Sequence, residues 1–169
     1  MKCCLFLLGF LALLAPRGRA NDTKILIEAE NPVDLQPVFE KVVTKSGQAS
    51  GGAYLLIPWD ENKAKRLGRV IYKFNVKKAG GYYLWARTFW TPDQGNSLKV
   101  SVNEGGDKMM GEDGTYNQWH WVGGKAHVTL KTGENTLTLF YHEAGVRIDQ
   151  FFLTQEKPDA PAPHRKIER

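Results

Sequence analysis

Cysteine is scarce in this 169-residue sequence: only Cys3 and Cys4 occur, adjacent and close to the start. Both fall in a stretch that reads as an export leader, with Met1-Lys2 as its basic beginning and an apolar run from Cys3 to Ala15. Pro16-Arg17-Gly18-Arg19-Ala20 then ends on a small residue suited to cleavage. Residues 1–20 are assigned to a signal peptide, and the domain that follows is expected outside the cytoplasm, secreted or periplasmic. With both thiols in the leader, that domain forms no disulfide even in an oxidising compartment, so its core must hold by packing, with a metal as the remaining aid. Lipid attachment at these cysteines is disfavoured, because they precede the apolar run instead of ending it.

Long hydrophobic runs are missing too. The Cys3–Ala15 run is shorter than the roughly 20 residues that a bilayer crossing needs, and no later segment is both long and uncharged enough. Nor is there an excess of charge: of the formal +5, Lys2, Arg17 and Arg19 belong to the leader, which leaves +2, and the tail from Lys157 to Arg169 alone carries that much. A near-neutral folded part offers nucleic acid no electrostatic footprint. The histidines at 120, 127, 142 and 164 are scattered, and there is no Ser-His-Asp order, metal-ligand spacing of histidines or Gly-rich phosphate loop. These absences argue against an enzyme. Glu28 and Glu30 keep one catalytic reading open, since carboxylates about 5–5.5 Å apart serve glycoside hydrolysis. Acids on the opening strand of a sandwich face its edge rather than a cleft, which weighs against that reading.

What the sequence does hold is a succession of short β-prone runs with almost no helical periodicity. They are residues 24–30, 37–43, 53–58, 68–76, 81–90, 96–102, 118–122, 125–130, 135–142 and 147–154, separated by turn-rich stretches such as Ser50-Gly51-Gly52, Ala79-Gly80-Gly81 and Thr132-Gly133-Glu134-Asn135. Period-2 alternation assigns their faces. Val70, Tyr72, Phe74 and Val76 point one way; Leu98, Val100 and Val102 alternate with Lys99 and Ser101; Leu137, Leu139 and Tyr141 alternate with Thr136, Thr138 and His142. Phe140 breaks its pattern and needs a second covered face or a ligand. The expected fold is all-β, an antiparallel sandwich over residues 22–155, followed by a disordered Pro-, Ala- and charge-rich tail over 156–169.

The order of motifs is familiar: IEAE on the first run, SGGAYL after it, GGYYLWAR in the middle, then NSLKVSVN, QWHWV and LKTGENTLTLFYHEAGVRIDQFFLT. Together, over about residues 24–154, they resemble the galactose-binding-like jelly roll of carbohydrate-binding module families six and thirty-five, above all the variants attached to polysaccharide-degrading enzymes. The resemblance implies a non-catalytic module that binds a polysaccharide or glycan, and a monomer is expected. It implies a structural Ca²⁺ held by Glu28, Glu30 and Asp149 with loop carbonyls near Ser50-Gly51, hard oxygen donors of the kind that ion prefers. The competing reading neutralises the acids with Lys24, Lys45 or Arg147.

Sugar rings present apolar C–H faces that stack on Trp and Tyr, while their hydroxyls take hydrogen bonds. The resemblance places Tyr54 and Trp119 as such a pair. At the third position Arg147 stands where the family has Asn, a change that favours an acidic sugar such as a uronate or else abolishes the site. The alternative for Arg147 is an ion pair with Glu28 or Glu143. Trp90, Tyr116 and Trp59 lie at strand ends or loops and are further platform candidates, whereas Trp85 and one of the Trp119/Trp121 pair are expected in the core. A protein-interaction or cell-envelope assembly domain on the same sandwich is the rival reading, with a small polysaccharide lyase or hydrolase behind it.

Overall fold

A computed structural model of the protein describes residues 23–45, 48–59, 61 and 67–156. The leader assigned to residues 1–20 and the tail from 157 onward lie outside the described residues. Among the described residues there is no α-helix.

Eleven strands form two sheets, all pairings antiparallel. The six-stranded sheet runs β3 (Glu40–Val43), β4 (Ala53–Leu56), β11 (Arg147–Thr154), β6 (Gly80–Phe89), β9 (Trp119–Leu130), with β1 (Lys24–Glu28) pairing β11 beyond the end of β4. The five-stranded sheet runs β2 (Asp34–Leu35), β5 (Arg69–Val76), β10 (Gly133–Phe140), β7 (Ser97–Val102), β8 (Lys108–Gly111). The two inner faces close on a core in which Leu55, Val70, Tyr72, Leu84, Leu98, Leu137, Leu139 and Phe151 are buried. That is the alternation the sequence carries, one face of each strand turned inward. The Tyr72 hydroxyl, buried among them, donates to the Ala29 carbonyl at 2.8 Å and so satisfies its polar tip.

Four expectations are corrected. The runs 118–122 and 125–130 are one strand, β9, with a bulge opposite Leu84 and Trp85 where Gly123 and Gly124 take φ of 117° and 69°. A Cβ on Gly123 would strike the Leu84 carbonyl and one on Gly124 the Trp85 ring, so glycine is required there for space as well as for backbone. The run 37–43 is strand only from Glu40, and β2 and β8 come from segments without a clear β pattern. Trp119 and Trp121 both face away from the core, and it is Val122, the residue after Trp121, that enters it. Trp85 is buried to 9% exposure, but on the outer face beneath Gly124 and not in the central cluster. Phe140, the odd residue of β10, is half-buried, and its ring is covered by its cross-strand partner Lys99, whose Nζ lies 5.1 Å from the ring centroid.

Candidate functional site

Antiparallel register builds the site. At one end of the six-stranded sheet Leu56 pairs Arg147, Arg147 pairs Phe89, and Phe89 pairs Trp119, which lays four side chains in a row across the outer face. Tyr54, two residues before Leu56 on β4, shares that face. Its ring meets Trp119 edge-on at 5.7 Å, and Phe89 meets Trp119 at 5.6 Å. The Arg147 guanidinium lies 4.8 Å from the Phe89 ring and 6.0 Å from that of Tyr54. Tyr54 and Arg147 form a ridge. On one side is a hollow of about 360 Å³ whose wall includes Thr44, Lys45, Gln48 and Trp119. On the other is an open groove of about 850 Å³ bounded by Trp59, Asp93, Gln94, His142 and Glu143.

Tyr54, Trp119 and Arg147, proposed from sequence, are thus together, although they come from strands far apart in the chain. Trp59, 70% exposed, stands on the wall of the groove. Trp90 does not join them: it is 0% exposed, packed in the core, with its indole N–H donating to Asp113 Oδ1 at 3.3 Å. A ring with no accessible face cannot stack a sugar, so the strand-end position of Trp90 misled. Tyr116 packs partly against the core, and its hydroxyl accepts from Asn96 Nδ2 at 2.8 Å, apart from both hollows.

The ion-pair alternative for Arg147 is not what the structure contains. Glu28 accepts from Ser50 Oγ at 2.5 Å and from Gln150 Nε2 at 3.0 Å. Glu143 Oε2 accepts the backbone N–H groups of Asn96 and Ser97, each at 2.8 Å. Burial works to raise the Glu143 pKa, but the hydrogen bonds from Ser97 and Asn96 outweigh it and hold this carboxyl below its ordinary value. Among the described residues Arg147 has no acid partner.

The second cluster is the acid corner behind this row. A register shift at Asp149 turns its side chain toward the junction where β1 and β4 meet end to end along β11, and the Asp149 carbonyl accepts the Ala29 N–H at 2.9 Å. Glu28, Glu30 and Asp149 gather there. Ser50 ties two of them together, its N–H donating to Asp149 Oδ1 at 2.9 Å while its hydroxyl spans Asp149 and Glu28. Glu30 is 5% exposed, its Oε2 lacks a hydrogen-bond partner, and its Oε1 occupies the space that a Cβ on Gly51 would need. Burial, followed by the charges of Glu28 and Asp149, raises its pKa. The cation here is none of those expected from sequence. Lys24 pairs with Glu156 at 2.7 Å, while Arg87, buried on β6, pairs with Asp149 through Nη1 and also donates to the Gln48 carbonyl at 3.2 Å.

As they stand, no three His, Cys, Asp or Glu side chains among the described residues are arranged to share one ion. The donor chemistry nevertheless fits a hard divalent cation: three carboxylates gather where Arg87 pairs only Asp149 and Lys41 acts on Glu30 more weakly than Glu28 and Asp149 do, and Glu30 Oε2 is left without a partner.

No protein-family model matches the sequence. A Formosa agariphila protein described as uncharacterized protein P23 is 27% identical over 161 residues, a match spanning 85% of this chain and 38% of that protein. A Podospora anserina GH26-CBM35 β-(1,4)-mannanase superposes with a TM-score of 0.63 at 22% identity, covering 84% of this chain and 29% of the mannanase. A family 35 carbohydrate binding module from Clostridium thermocellum gives 0.56 at 21% identity over 77% of this chain and 98% of its own. The C-terminal CBM6 of LamC, from Zobellia galactanivorans, gives 0.56 at 18% over 78% of this chain and 99% of its own. The fold is therefore the β-sandwich of carbohydrate-binding module families 6 and 35, and neighbours that are matched over nearly their whole length are such modules. No helix among the described residues is long and apolar enough to cross a membrane.

Proposed function

We propose that this chain is a non-catalytic carbohydrate-binding module, exported by its leader-like first twenty residues and acting as a monomer, with its sugar seat in the hollow beside Tyr54 and Trp119. One observation carries the reading: two aromatic rings from distant strands converge at 5.7 Å on the rim of a sugar-sized hollow, with Arg147 alongside. A core has no use for such a half-exposed pair, whereas a pyranose has two apolar faces and a girdle of hydroxyls that such a wall can stack and hydrogen-bond. The fold shared with families 6 and 35 supports the same reading.

Ca²⁺ at the acid corner belongs to the proposal. Glu28, Glu30 and Asp149 would hold it, with Ser50 nearby, and the ion would neutralise the corner and pin the ends of β1 and β4 to β11. Its role is structural, because Arg87 stands between this corner and Trp119.

The test is retention on a panel of insoluble polysaccharides and a glycan array. At least one glycan should retain the protein, and Tyr54→Ala and Trp119→Ala should each release it while remaining cooperatively folded. Retention unchanged in both variants removes this site.

A further inference from the structure

We infer that Arg87 is a positioning residue of the sugar seat: it fixes the Trp119 ring and the Gln48 wall before a saccharide arrives, without touching the saccharide itself. The inference rests on the carbohydrate-binding reading and deepens it. Geometry is the first argument. Arg87 is buried on β6, where it pairs across to Trp121 on β9 and lies diagonal to Trp119. Its guanidinium sits over the Trp119 ring, 5.2 Å from the centroid, so one face of that indole is covered and the other is left to stack. Nη1 of the same group donates to the Gln48 carbonyl at 3.2 Å, and Gln48 lines the hollow together with Trp119. One guanidinium thus reaches both the platform and a wall of the seat, while Arg87 is not among the described residues that line it. The guanidinium is itself held: Nη1 pairs with Asp149 Oδ2, and Asp149 Oδ1 accepts the Ser50 N–H at 2.9 Å and the Ser50 hydroxyl at 3.1 Å.

The second argument is that stability gives no reason for an arginine at this place. Replacing a buried ion pair by well-packed apolar side chains is often neutral or stabilising, so the pair as a whole is no requirement of the sandwich. The Arg87 Nε, moreover, is buried and has no hydrogen-bond partner among the described residues, an unmet donor that the fold carries at some cost. What the guanidinium does supply is orientation. A tryptophan on an open sheet face and a loop residue such as Gln48 would otherwise each have to be ordered when sugar binds, and that ordering weakens affinity. Held beforehand, they meet the saccharide in place. A planar guanidinium can lie on an indole and still direct its edge N–H groups at a carboxylate and a carbonyl, which the point charge of a lysine does not reproduce.

The experiment measures affinity for a polysaccharide that retains the wild type, beside urea stability, in EDTA and again with Ca²⁺. The double variant Arg87→Met with Asp149→Leu removes the pair without stranding a charge. It should stay close to wild-type stability yet bind about tenfold more weakly under both conditions, the effect of having to order one or two side chains on binding. Arg87→Lys keeps a charge for Asp149 and should fall between the two, and it decides alone should the double variant fold poorly. Trp90→Phe is the control: it weakens the core away from the seat and should bind as the wild type does. Wild-type affinity in the double variant, or in a folded Arg87→Lys, overturns the positioning role and leaves the module reading intact. An equal loss in Trp90→Phe shows that affinity merely follows stability and also overturns it. So does a loss confined to Ca²⁺, which traces to Asp149 as an ion ligand. Retention of the wild type by no polysaccharide overturns both readings.

Discussion

Arg87 and Asp149 form a buried ion pair, with side chains 3% and 0% exposed, that stands between the acid corner and the aromatic rim. The same guanidinium lies over Trp119, so the cation that compensates the corner also backs the proposed sugar platform. Removing one partner of such a pair strands the other charge in the interior. Arg87→Met should destabilise the protein by about 3–5 kcal/mol, whereas the double variant Arg87→Met with Asp149→Leu should recover most of that loss, since well-packed apolar replacements of buried pairs are often neutral. Urea denaturation in EDTA gives both numbers; a mild single variant would mean that water reaches the pair.

Glu30 gives the corner a pH signature. Burial, aided by Glu28 and Asp149, raises its pKa above the ordinary 4.5, so the folded chain holds this proton more tightly than the unfolded chain. Stability contributed by that proton is full below pH 4.5 and is lost as pH climbs from there through the raised folded value. In EDTA, wild-type melting temperature should decline over this window, and Glu30→Gln should show a flatter profile and the higher value at neutral pH. Adding Ca²⁺ at neutral pH should raise wild-type stability and help Glu30→Gln less, because a bound ion compensates only the charged form. Parallel pH profiles for the two proteins would show that Glu30 ionises freely.

Much of the sandwich is legible in the sequence, because a strand with one buried face must alternate. Val70/Tyr72 and Leu137/Leu139 show this, and the register places them where the pattern says. The rule fails where both faces are covered: Ala86, Arg87 and Thr88 are consecutive and all buried, so nothing in their pattern marks Arg87 as the partner of Asp149, a choice made by tertiary contact alone. Gly123-Gly124 reads as a turn because glycine permits a turn and a bulge equally; only the Trp85 ring beneath decides. Tyr54 and Trp119 came from family likeness and not from spacing, and no local signal brings β4 and β9 to the same rim. Trp90 and Trp119 occupy similar places at strand ends, yet Trp90 is closed over and Trp119 is left open.

That contrast yields the sharpest mutational comparison. Trp90→Ala removes a fully buried indole and its hydrogen bond to Asp113, and should cost about 3–5 kcal/mol through lost burial and the cavity left behind. Trp119→Ala removes a half-exposed ring whose neighbours are Tyr54, Phe89 and Arg87, and should cost about 1–2 kcal/mol while abolishing polysaccharide retention. Urea unfolding measures the first quantity and affinity gels the second. Trp90→Phe, which keeps part of the packing, should remain folded enough to bind normally. The two tryptophans would then separate stability from recognition in opposite directions. Were Trp119→Ala as damaging to the fold as Trp90→Ala, its ring would be a packing element of the sheet face, and the physical basis for a stacking platform would be gone.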